Sequence, residues 1–157
     1  MTDRREWVLL AYRMPREPSS PRITVWRRLR KLGAVQIVDG LVALPADART
    51  KEQLEWVADQ AVDAGGEATV WLARLGSAKQ ERELAARMAA EVTEAYQAVI
   101  DEVAELRHTP DGVQPRTLAR LRRELRRIGQ RDYFPPPARD TASAAVDGLA
   151  ELVGETT

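Results

Sequence analysis

The segment SSPRITVWRRLRKLG, Ser19–Gly33, places Arg22, Arg27, Arg28, Arg30 and Lys31 within one helix length, and Arg16 stands just before it in the loop PREPSSP. A second run, PRTLARLRRELRRIG (Pro115–Gly129), carries Arg120, Arg122, Arg123, Arg126 and Arg127. Guanidinium groups at this density suit one kind of chemistry, which is charge-assisted, often bidentate hydrogen bonding to phosphate or carboxylate oxygens. They accept no hydrogen bonds and stay protonated at neutral pH, so they neither ligate metal cations nor shuttle protons. The chain nevertheless has 24 basic and 24 acidic side chains. The charge is sorted rather than scarce. Met1–Lys31 holds nine basic residues against three acidic ones, and Arg116–Arg131 holds seven against one. Glu81–Glu105 runs the other way, with seven acidic against two basic. Such blocks call for a phosphate-bearing partner or for one another. Charge alone leaves the two alternatives evenly weighted.

Other chemistries find little support. There is no cysteine, and His108 is the only histidine. Thiolate catalysis, disulfides and the Cys/His metal sites are therefore not expected. Neither G-x-x-x-x-G-K-[ST] nor G-x-G-x-x-G occurs, and Gly65-Gly66 reads as a helix stop. His108 lies beside a helix break, where a solvated side chain is expected. Glu91, Glu94, Asp101, Glu102 and Glu105 fall on helix faces, as solvated groups or partners of arginine. The expectation is a protein that is not an enzyme, with no metal and no cofactor. No apolar run approaches the roughly 18–20 residues that span a bilayer. The start MTDRREWVLL lacks the apolar stretch of a signal peptide. A cytoplasmic protein without a membrane partner is the expectation.

The elements that must position these groups can be read in order. WVLLAYRM (Trp7–Met14) has the composition of a strand and stops at Pro15. Ser20 is the expected cap of a helix with Pro21 in its first turn, ending at Gly33. Val25, Trp26, Leu29 and Leu32 form its apolar side and the arginines its outer side. Ala34–Pro45 reads as two strands joined by Asp39-Gly40. TKEQ (Thr50–Gln53) reads as a capping box for a helix that turns Leu54, Val57, Ala58, Ala61 and Val62 inward. Ala68–Leu75 is a fourth strand. This order predicts an α+β fold with a ferredoxin-like βαββαβ sheet over residues 1–76. Residues 77–157 are predicted to be a helical extension packed on it. It comprises a long helix opened by Ser77 and Gln80, a break at HTPDG (His108–Gly112), the basic helix, and a short helix from about Thr141 to Val153. RDYFPPPARD is expected to interrupt regular structure. Trp7, Trp26, Trp56 and Trp71 each fall on an apolar face and are expected in the core.

The string WVLLAYRMPREPSSPRITVWRRLRKLGAVQIVDGLVALP resembles the start of ChrB-type proteins, the chromate-resistance regulators. The pattern is a Trp-led strand, PREPSS, VWRRLRKLGA and an apolar hairpin ending in LP. The resemblance continues through EQLEWVADQAVDAGGEATVWLAR and at RDYF, and it covers nearly the whole chain as the N-terminal domain of that family. It implies a bacterial cytoplasmic protein tied to transcriptional control, with repression of an efflux operon relieved by chromate. A similar sheet occurs in small CRISPR-associated nucleases, which need a carboxylate at the end of the first strand. Here that stretch is AYRMPRE, with Tyr12 and Arg13, so nuclease chemistry is not expected.

The leading expectation is thus a DNA-binding regulator, in which both basic sets hold phosphates and an oxyanion effector such as chromate is a further partner. A homodimer is expected. The competing expectation is a non-catalytic dimerisation or interaction module, in which the basic helices meet the acidic one.

Overall fold

In the computed structural model, residues 4–109 and 112–155 are described. Strand β1, Trp7–Arg13, owes its place to period-2 alternation. Val8 and Leu10 are fully buried on one face, and Leu9 is only half-buried on the other. Pro15, which has no N–H for a further ladder bond, follows after Met14.

Helix α1, Ser20–Leu32, buries Val25 and Leu29, one turn apart. Gly33 closes it at φ 81°, donating its N–H to the Arg30 carbonyl. The expected Ser20 cap does not form. Ser20 lies inside the helix, and Ser19 occupies the cap position with helical backbone angles and no side-chain capping bond. A capping side chain normally reaches the first-turn amides from extended rather than helical backbone angles.

Strands β2 (Val35–Val38) and β3 (Leu41–Pro45) form the hairpin. A two-residue turn matched to strand twist in the type I′ manner needs positive φ at both positions. Here only Gly40 adopts it, at 78°, and a register shift between Gln36 and Val38 takes up the difference. Gly40 is required for a second reason. A Cβ there would lie 2.6 Å from the Tyr12 carbonyl oxygen, while the Tyr12 N–H donates to the Gly40 carbonyl at 2.8 Å.

Helix α2, Ala48–Asp63, starts earlier than TKEQ suggests. Asp47 is the cap. It accepts the Thr50 N–H at 2.7 Å, and the Thr50 hydroxyl accepts the Asp47 N–H at 2.9 Å. Thr50 is therefore the last residue of the box, the third of the helix, rather than the first of the box. It is fully buried and also donates to the Pro45 carbonyl. Leu54, Val57 and Ala61 face inward, whereas Val62 is exposed.

Strand β4 is Glu67–Ala73. The sheet has the order β2-β3-β1-β4, with every neighbouring pair antiparallel. It is a mixed α+β arrangement whose element order is ferredoxin-like in outline. Helix α2 packs against β1, β4 and α1. Only Trp7 among the tryptophans is a core residue, at 1% exposure. Trp26, Trp56 and Trp71 are 50%, 52% and 58% exposed. On α1 and α2 the buried stripe is one residue wide per turn, Val25–Leu29 and Leu54–Val57–Ala61, and the indoles flank it.

Helix α3, Ala78–Leu106, is capped by the Ser77 hydroxyl, which accepts the Gln80 N–H. The chain divides into two compact units, Met1–Ala85 and Ala86–Thr157. The first turns of α3 therefore belong with the sheet. Glu81 accepts the Arg5 N–H at 3.0 Å and the Trp7 indole N–H at 3.3 Å. The second unit comprises the rest of α3, α4 (Pro115–Gln130) and α5 (Pro137–Glu155). Its core contains Val92, Tyr96, Val99, Leu121, Ile128, Val146 and Leu149. The expected break at His108–Gly112 includes Pro110 and Asp111, which lie outside the described residues. Helix α5 begins sooner than Thr141, because Pro137 can serve as its first residue, where a missing N–H costs nothing. The preceding loop is fastened by Tyr96, whose hydroxyl donates to Asp132 at 2.8 Å.

Candidate nucleic-acid interface

All six basic side chains of the first cluster, Arg16, Arg22, Arg27, Arg28, Arg30 and Lys31, are exposed. For the five on α1, burial of Val25 and Leu29 turns the basic positions outward; Arg16 is exposed in the loop before the helix. None of the six forms an ion pair among the described residues. Arg28 donates to the neutral Gln60 amide oxygen on α2 at 3.2 Å. Arg30 lies over the Trp26 ring, 5.3 Å from its centroid, a cation–π arrangement that holds the guanidinium without neutralising it. The first unit thus presents a helix whose positive charge is uncompensated.

The second cluster differs. Arg120, Arg122, Arg123, Arg126 and Arg127 are likewise exposed on α4, opposite buried Leu118, Leu121 and Ile128. Arg120, however, makes a two-pronged contact with Glu102 on α3. The hydrogen bond to Glu102 and its charge raise the guanidinium pKa further. Arg127 pairs with Glu124 at 3.3 Å. Arg122, Arg123 and Arg126 form no ion pair among the described residues. The two clusters belong to separate compact units.

Beside the basic face of α1 lies a cleft of about 700 Å³ that no sequence motif announces. Tyr12, Arg13 and Met14 from the end of β1 line one side, and Gln36, Asp39 and Gly40 from the hairpin line another. Arg22, Ile23 and Trp26 of α1 complete it. Gly66 permits the close approach of the α2–β4 connection, since a Cβ there would lie 2.5 Å from the Arg13 carbonyl oxygen. Gln36 donates its amide to Asp39 at 3.0 Å. Burial, and secondarily the Asp39 charge, pushes the Tyr12 hydroxyl pKa up, so it remains a neutral donor at physiological pH. The sequence signals exist but carry simpler meanings. Trp26 reads as core, Asp39-Gly40 as a turn, and Tyr12-Arg13 as the end of a strand.

Among the described residues, no group of three His, Asp or Glu side chains could hold a metal ion. No helix among them is long and apolar enough to cross a membrane. His108 is exposed, and its backbone N–H donates to the Glu105 carbonyl. Of the acidic face on α3, Glu102 meets Arg120 and Asp101 accepts the Gln97 amide.

Comparison with known proteins gives two findings. A family model described as Protein ChrB, N-terminal, matches residues 22–111. Protein ChrB of Cupriavidus metallidurans (strain ATCC 43123 / DSM 2839 / NBRC 102507 / CH34) is 27% identical over 136 residues. That alignment covers 84% of this chain and 41% of the relative, so the chain spans about two fifths of the relative's length.

Proposed function

The chain belongs to the ChrB N-terminal family, and from that premise we propose that it is a non-catalytic regulatory module of chromate or related oxyanion resistance that binds DNA through the basic face of α1. The observation that carries this reading is the uncompensated charge of Arg16, Arg22, Arg27, Arg28, Arg30 and Lys31, exposed and without ion pairs among the described residues. A neutral chain that concentrates cations and leaves them unpaired favours a polyanionic partner. Most of these contacts would go to phosphates, fixing position rather than reading sequence. Arg122, Arg123 and Arg126 on α4 form a second set for the same role. In this reading the protein acts in the cytoplasm as a homodimer, whose two-fold axis would present two α1 faces to DNA. The interleaved order β2-β3-β1-β4 supports reading the first unit as a ferredoxin-like sheet.

The Arg120–Glu102 contact favours a second reading for α4, in which part of its charge serves the fold and association rather than DNA. Fluorescence anisotropy of the purified chain against duplex DNA from upstream of its own operon, and against scrambled duplex, separates the readings. Salt-sensitive binding with preference for the upstream sequence is expected. Absence of binding to either duplex at low salt would leave the interaction module as the function.

A further inference from the structure

The cleft beside α1 has a composition that backbone phosphates alone do not explain. A surface that only tracks a duplex needs cations. This one adds two aromatic side chains, Tyr12 and Trp26, and a carboxylate, Asp39, to Arg13 and Arg22. At about 700 Å³ it lies within the range of small-molecule sites. An inorganic oxyanion would use the guanidinium groups and leave the aromatic walls in water. A purely apolar ligand would strand both guanidinium groups. A ligand with one flat ring and one phosphate uses all of them.

We infer that the cleft binds a nucleotide, with the base against Trp26 and Tyr12 and the phosphate between Arg13 and Arg22. Neither arginine forms an ion pair among the described residues, although Glu67 stands opposite Arg13 across β1 and β4. Trp26 is half-exposed, with Arg30 over its ring and the cleft beside it. Stacking on such a ring is tolerant of base identity. Asp39 supplies the discrimination. Its Oδ1 accepts from Gln36, and in this assignment its other oxygen accepts from an exocyclic amine. Cytosine and adenine offer that amine and thymine does not. The site therefore prefers amine-bearing bases. The inference stands apart from duplex binding by Arg27 and Arg28, neither of which lines the cleft.

Isothermal titration calorimetry of the full chain tests it with dCMP, dTMP, deoxycytidine, inorganic phosphate, and single-stranded oligo-dC and oligo-dT. The expected result is binding of a cytosine ligand at least about tenfold tighter than its thymine counterpart and than either fragment alone. Binding of dCMP itself would assign a free nucleotide as the ligand. Binding of oligo-dC alone would assign a strand. Arg22→Ala and Trp26→Ala should each weaken binding about tenfold or more. Asp39→Asn, which keeps a good turn residue before Gly40, should narrow the cytosine-to-thymine ratio. Arg49→Ala on α2 removes one exposed charge away from the cleft and should change nothing. The inference is overturned if no cytosine ligand binds more tightly than inorganic phosphate, or if binding survives both Arg22→Ala and Trp26→Ala. Loss of duplex binding in Arg27→Ala/Arg28→Ala with nucleotide binding intact would separate this site from the duplex face.

Discussion

Helices α1 and α4 carry comparable clusters of basic residues, yet they treat that charge in different ways. On α1 the cations rest on neutral groups, Arg28 on Gln60 and Arg30 on Trp26, and none is ion-paired among the described residues. On α4, Arg120 meets Glu102 and Arg127 meets Glu124. Arg127–Glu124 lies within α4 itself; for the contacts between helices, the cause lies in what each helix packs against. Helix α1 lies beside α2, whose facing residue is an amide, whereas α4 shares a core with the acid-rich α3. A count of arginines in sequence cannot separate the two cases, because Gln60 and Glu102 lie 32 and 18 residues from Arg28 and Arg120, and of the two α4 ion pairs only Arg127–Glu124 is local.

The largest effect is expected where the α1 unit depends on a single glycine. Gly40→Ala combines a left-handed backbone with a Cβ 2.6 Å from the Tyr12 carbonyl oxygen. It should cost about 2–4 kcal/mol in urea unfolding and distort the cleft. Next, Arg27→Ala with Arg28→Ala should leave the melting temperature nearly unchanged while weakening duplex binding about tenfold or more. In the α4 unit, Tyr96→Phe would remove the hydroxyl that donates to Asp132 and leave that half-buried carboxylate without it, at a cost of about 1–3 kcal/mol. The same pair sets a pH dependence. Burial, followed by the hydrogen bond to Asp132 and its charge, pushes the Tyr96 pKa from 10.0 up to about 12. Only the protonated hydroxyl donates, so this stability is complete below pH 10 and is lost as pH rises towards 12. Unfolding measured across that interval should show the decline in the parent chain and a flatter profile in Tyr96→Phe. The smallest effect should come from Glu102→Gln. It breaks an exposed pair and should lower stability by about 0–1 kcal/mol, while leaving the α1 face untouched.

The sheet is legible in the sequence because each element carries its own signal, such as Gly33 at a helix end and Asp39-Gly40 between two apolar runs. The start of α2 is not, because Thr50 is a good cap in isolation and only the fold shows it buried beneath Asp47. The three exposed tryptophans mislead for a related reason. Hydrophobicity predicts burial, but α1 and α2 bury a narrow stripe and leave Trp26 and Trp56 at its margins, and Trp71 lies on an exposed position of strand β4. The basic candidates are legible as residues and not as a site. The cleft is assembled from β1, α1 and the hairpin, and no local spacing links Arg13 or Asp39 to Trp26.

The most direct test is a salt titration of duplex binding by anisotropy, run side by side on the parent chain, Arg27→Ala/Arg28→Ala, and Arg120→Ala/Arg127→Ala. Removing one cation from a phosphate should lower the slope of log K against log salt by about one. The account predicts a drop of about two for the α1 pair and almost none for the α4 pair. Equal drops for the two pairs, or a larger one for α4, would contradict the assignment of α1 as the face that meets DNA.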